Sequence, residues 1–108
     1  MSIKTSKYVR RPLYVDAVQI TKANFLELAA WCMGEIRTNE GEVLIENPWP
    51  ESTNGVNPAD CHIRIRVHDP KNFRQTKGFV GDWILYSKMG YRVYNPKSFR
   101  ASFDLFEE

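Results

Sequence analysis

Cysteine is scarce: Cys32 and Cys61 are the only two in 108 residues. Two thiols make no disulfide framework, and they suit a reducing compartment, where cysteine behaves as a small buried hydrophobe. Long apolar runs are missing too. No segment approaches the ~20 residues of a membrane helix, and MSIKTSKYVRRPLYV has no apolar core of a secretory signal. The expectation is a soluble protein that stays where it is made and touches no membrane. Charge of one sign is also lacking. Fifteen Lys and Arg face thirteen Asp and Glu, a formal net of +2. Dedicated DNA-binding domains cluster more positive charge, so the balance permits an anionic ligand without requiring one. With 43% hydrophobic and 26% charged residues, the composition is that of an ordinary globular chain and not of a disordered one.

Catalytic and metal signatures are equally sparse. Cys32, Cys61, His62 and His68 do not have the paired spacing of a zinc site. Cys61 and His62 are adjacent, so on a strand they point to opposite faces. Ser87, Ser98 and Ser102 lie outside any nucleophile elbow, and the glycines match neither a P-loop nor a dinucleotide motif. Acid–base work by His62 or His68 with Asp69 stays open. Otherwise no catalytic residue, metal or cofactor is expected.

What is present is an aromatic C-terminal third, FVGDWILYSKMGYRVYNPKSFRASFDLF, residues 79–106. It reads as strand, Gly turn, strand, Asn-Pro turn, one helical turn and a short terminal strand. Large rings dominate a small core, so the rest of the fold is expected to pack on this hairpin. Upstream, residues 1–11 read as a basic arm, either solvated or aimed at phosphate. Residues 13–20, LYVDAVQI, alternate as a strand with Asp16 as a polar exception. A helix is predicted over 22–33, with Phe25, Leu28, Ala29 and Cys32 on one face, Thr21 or Asn24 as cap, Glu27 at capping-box spacing and Gly34 as left-handed stop. Residues 35–46 read as a hairpin turning at Asn39-Glu40-Gly41. Together these predict a single α+β domain over 1–108: one N-terminal helix on a small, mostly antiparallel, twisted sheet of about five to six strands.

Binding candidates sit in three places. The sharpest alternation is CHIRIRVH, residues 61–68: Ile63, Ile65 and Val67 inward, His62, Arg64, Arg66 and His68 outward. Paired guanidiniums at that spacing suit phosphates or carboxylates; the plainer reading is a solvated face whose arginines pair with acids. Arg74 adds charge just downstream. Residues 47–60 form a long Pro-rich loop that either presents Trp49 to a partner or folds it back as a lid. On 91–94, Arg92 and Tyr94 share a strand face and can serve as a phosphate-plus-base platform, or as ordinary surface.

One further pattern stands out. Arg10-Arg11-Pro12 followed by Ala17 and Gln19, then Trp31-Cys32 and Gly34, then Gly81-Asp82-Trp83-Ile84, Gly90 and Tyr94, and finally Pro96, Phe99 and Phe103, resembles small accessory proteins of tailed bacteriophages. The likeness covers the two ends and leaves out roughly 35–75. It implies a small α+β protein in the host cytoplasm, engaged in host takeover or anti-defence. Such a protein binds and blocks a host protein, or sequesters a nucleotide-like signal molecule, and can do so as a homo-oligomer, without catalysis. The alternative is a nucleic-acid-binding regulator using the basic arm. No functional residue is carried over; Gly81-Asp82 read as a structural turn.

Overall fold

A computed structural model of the chain describes residues 3–10, 13–49, 56–66, 75–88 and 90–105. Among them the fold is α+β, with antiparallel strands in two sheets and not one. The five-stranded sheet runs β8-β7-β2-β1-β9, built from β1 (Ser6–Arg10), β2 (Leu13–Gln19), β7 (Trp83–Ser87), β8 (Gly90–Tyr94) and β9 (Asp104–Leu105). The four-stranded sheet runs β4-β3-β5-β6, from β3 (Glu35–Thr38), β4 (Val43–Ile45), β5 (Cys61–Arg64) and β6 (Lys77–Gly78). Two helices complete the fold, α1 (Phe25–Trp31) and α2 (Pro96–Ser102). The expected single sheet becomes two because the middle of the chain pairs with itself: β3, β4, β5 and β6 hydrogen-bond only among themselves.

Part of the basic arm is a strand. Residues 6–10 lie between β2 and β9, with Lys7 directly opposite Asp16, which gives that acid its oppositely charged neighbour. Tyr8 anchors the strand, its ring edge-on to Trp83 at 5.5 Å and to Phe99 at 4.8 Å.

α1 fills the space between the sheets. Phe25, Leu28, Ala29 and Cys32 pack with Val18, Ile20, Ile84 and Val93 of one sheet region and with Ile36, Cys61, Ile63 and Ile65 of the other. Each fully buried Leu, Ile or Phe contributes about 1.5–3 kcal/mol. The helix starts without a side-chain cap bond; Thr21 and Asn24 instead bond each other's backbone N–H reciprocally at 3.1 and 2.8 Å. It stops in a Schellman pattern, Gly34 N–H donating to Ala29 O and Met33 N–H to Ala30 O. The left-handed residue there is Met33, at φ 55°, and not Gly34. Gly34 serves by its smallness: a Cβ would stand 2.9 Å from Ile63 Cγ2 and 3.0 Å from the Arg64 carbonyl.

The aromatic tail builds a second core on the other face of the five-stranded sheet. Asn95 caps α2 by accepting from Ser98 N–H at 2.8 Å, and the helix lays Phe99 flat on Trp83, with ring centroids 4.0 Å apart and planes 11° off parallel. Phe103 stacks on Phe99 and meets Tyr94 edge-on. Where the sheets meet, Asp82 closes a turn by accepting from Phe79 N–H and from Gln75 Nε2, both at 3.0 Å. Gly81 there adopts φ 102°, so Gly81-Asp82 have the structural role read from the sequence.

Candidate functional site: a cationic sheet face

The register of the four-stranded sheet arranges its outer face in rows. Ile36, Ile63 and Gly78 are aligned and look inward, with Ile36 and Ile63 sealed in the core. Their neighbours along each strand therefore look outward. One row runs Glu35, Arg64, Lys77; the next runs Arg37, His62 and, continuing the β5–β6 register, Phe79. The His62 and Phe79 rings lie 5.3 Å apart, as that register requires. Phe79 keeps 41% of its surface exposed.

Charge on this face is lopsided. The carboxylate of Glu35 is turned along its own strand to Arg37, accepting from Nε and from an Nη at 3.1 and 3.0 Å. No ion pair among the described residues reaches Arg64 or Lys77, although the two stand directly opposite each other. Both are exposed. Like charges in that position destabilise a sheet.

His62 departs from expectation. It shares the outward face with Arg64, yet only 1% of its surface is exposed. The cause is local: Phe79 packs beside it, and Asn39, from the turn after β3, places Oδ1 3.5 Å from Nδ1. Nε2 is buried and has no hydrogen-bond partner among the described residues. Burial, and then the nearby Lys77, Arg37 and Arg64, hold the imidazole below its ordinary pKa of 6.5.

Arg66 is exposed one step further along the chain, and its guanidinium reaches Asn47 Oδ1 at 3.3 Å and Glu46 O at 3.5 Å, beyond β4. The paired-arginine span read from the sequence is therefore splayed: Arg64 faces Lys77 and Arg66 is drawn toward 46–47. Trp49, two residues on, is 69% exposed. His68 and Arg74 lie outside the described residues.

Arg92 and Tyr94 sit elsewhere, on the face of the five-stranded sheet that carries the second core. Tyr94 is part of the second core against Phe103. With Val15, Leu85 and Phe103 the pair lines a shallow cleft of about 20 Å³. Tyr94 is covered because Phe103, just past α2, folds back against it, a tertiary event that strand alternation does not announce.

Arg37, Lys77 and Phe79 thus join Arg64 and His62 in one site. Lys77 carries no signal in the sequence beyond its charge. Arg37 had a legible signal, since EIRT alternates around an apolar Ile36; the alignment of β6 beside β5 had none. Among the described residues no other reactive group joins them. Burial pushes the Cys32 thiol up to about 12 and raises that of Cys61, so both stay protonated thiols. Among the described residues no three of His, Cys, Asp or Glu could hold a metal ion, and no helix is long and apolar enough to cross a membrane. What the face can do is hold an anion on Arg64 and Lys77 with an aromatic ring alongside. No known protein family, curated protein or solved structure matches the chain.

Proposed function

We propose that the protein binds a nucleotide-like anion without transforming it, with phosphate on Arg64 and Lys77 and the ring system beside Phe79. The observation that carries this reading is the in-register Arg64–Lys77 pair, left without a described carboxylate while Glu35 is spent on Arg37. Cations kept together at a cost in stability are expected where an anion is to be met. The exposed aromatic in the adjoining row favours a nucleotide over a bare phosphate.

The biological setting rests on the resemblance of the two chain ends to phage accessory proteins. In that setting, holding a nucleotide-like signal, or blocking the host factor that carries one, is an anti-defence act in the host cytoplasm. Regulation of nucleic acid through a basic arm has less to stand on, because residues 6–10 are committed to a sheet and Lys7 faces Asp16.

Thermal unfolding against cyclic dinucleotides and ADP-ribose tests the proposal. A ligand at a hundred times its Kd adds about 2.7 kcal/mol, and Arg64→Ala should abolish the gain. Absence of a shift with every compound sinks the reading. Recovery of the compound unchanged after heat release separates binding from turnover.

A further inference from the structure

One buried polar atom of this sheet has no partner among the described residues. Nε2 of His62 is buried without a partner among the described residues, while Nδ1 lies near Asn39 Oδ1. Such an orphan costs about 1–3 kcal/mol, and nearly all buried polar atoms avoid it. The groups around the ring come from each neighbouring element: Arg37 from β3, Asn39 from the turn that follows, Arg64 from its own strand, Lys77 from β6, and the Phe79 ring. Among the described residues, the charged groups that act on it are cations.

Tautomer chemistry then constrains what Nε2 can do. Asn39 Oδ1 is an acceptor, so the neutral ring places its hydrogen on Nδ1 and leaves Nε2 as an acceptor. An acceptor cannot bond an anion. Protonation turns Nε2 into a donor, but in the empty site three cations and burial oppose it. An anion on Arg64 and Lys77 cancels that opposition and supplies the missing acceptor together. We infer that His62 is the proton-linked reading residue of this site: when an anion seats on Arg64 and Lys77, one proton passes from solvent to Nε2, and the imidazolium donates to the anion. This rests on the anion-binding reading above, and it gives that site a regulator, since binding then tightens as pH falls.

The test follows the imidazole itself. The sequence holds two histidines, His62 and His68, so His68→Gln leaves one Cε1–H resonance to titrate by NMR. ADP-ribose is the probe, because its phosphates are diesters that do not titrate near neutral pH. The free protein should show a midpoint below 6.5; saturating ADP-ribose should raise it by a unit or more. Calorimetry should show net proton uptake and a Kd about tenfold tighter for each unit of that rise. His62→Gln should flatten the pH dependence. If ADP-ribose binds in an Arg64-dependent way while the midpoint stays put, the proton link is wrong and the anion site survives. If ADP-ribose does not bind at any pH, both fall.

Discussion

Arg64 and Lys77 face each other across β5 and β6, a separation of about 4.5–5.5 Å between Cβ atoms. On the other flank of Arg64, Glu35 is in register but gives its carboxylate to Arg37. A sheet under selection for stability alone would turn Glu35 the other way or place an acid at 77. The arrangement couples a small loss in folding energy to a concentrated positive potential, and the two effects separate by substitution.

Lys77→Glu should stabilise the protein by roughly 0.2–1 kcal/mol, because it converts a like-charge cross-strand pair into an opposite one. Anion binding should fall by tenfold or more, since a charge-assisted contact is worth about 1.5–3 kcal/mol. Urea melts and calorimetry on the same samples check both signs. A variant that loses stability and keeps its ligand contradicts the site.

His62 sets a pH dependence of stability. Its folded pKa lies below 6.5, so between that depressed value and 6.5 the unfolded chain binds the proton that the native state refuses. Unfolding free energy therefore rises with pH across that window and is flat above it. Wild-type protein should lose stability as pH drops below 6.5, and His62→Gln should lose less. Equal slopes for the two proteins would mean that another group controls the transition.

Much of this fold is written in local pattern. LYVDAVQI, the α1 stripe, the Gly41 turn and the run from Trp83 to Phe103 all form where alternation, helical spacing and cap residues place them. Pairing between distant segments is not local, and there the reading from sequence alone departs from the structure. Nothing in SKYVR signals that Tyr8 has Trp83 and Phe99 to pack against, so a strand passes for an arm. Nothing in NPKSFRASF shows that Phe103 folds back against Tyr94. The candidate site divides the same way. Arg64 projects outward as alternation requires, whereas the burial of His62 depends on Asn39 from the turn after β3 and Phe79 from just past β6.

Phe99 holds α2 to the sheet. It is 2% exposed, stacked on Trp83, stacked on Phe103 and edge-on to Tyr8. Phe99→Ala should cost about 3–5 kcal/mol, enough to free the C-terminal helix or unfold the domain. Phe99→Leu should recover part of the loss. Near-UV circular dichroism should show the stacked Trp83 signal vanish in the alanine variant.

The end of α1 offers the sharpest contrast between two backbone roles. Met33 carries the left-handed φ of 55° and is 64% exposed, so its side chain contributes little packing to offset the strain. A left-handed residue with a Cβ costs about 1–2 kcal/mol, partly returned by the lower chain entropy of a non-glycine residue. Met33→Gly should therefore stabilise the protein by up to about 1 kcal/mol. Gly34→Ala should do the reverse. Its φ is ordinary, but the added methyl would meet Ile63 Cγ2 at 2.9 Å, the Arg64 carbonyl at 3.0 Å and Cys32 Sγ at 3.1 Å. Two of those contacts are on β5, so the cost of about 1–3 kcal/mol should come with displacement of the strand that carries Arg64. Ligand affinity should fall in Gly34→Ala and stay level in Met33→Gly. Chemical denaturation paired with a binding titration decides it, and a destabilised Met33→Gly would show that the methionine side chain, and not the backbone, holds the helix end.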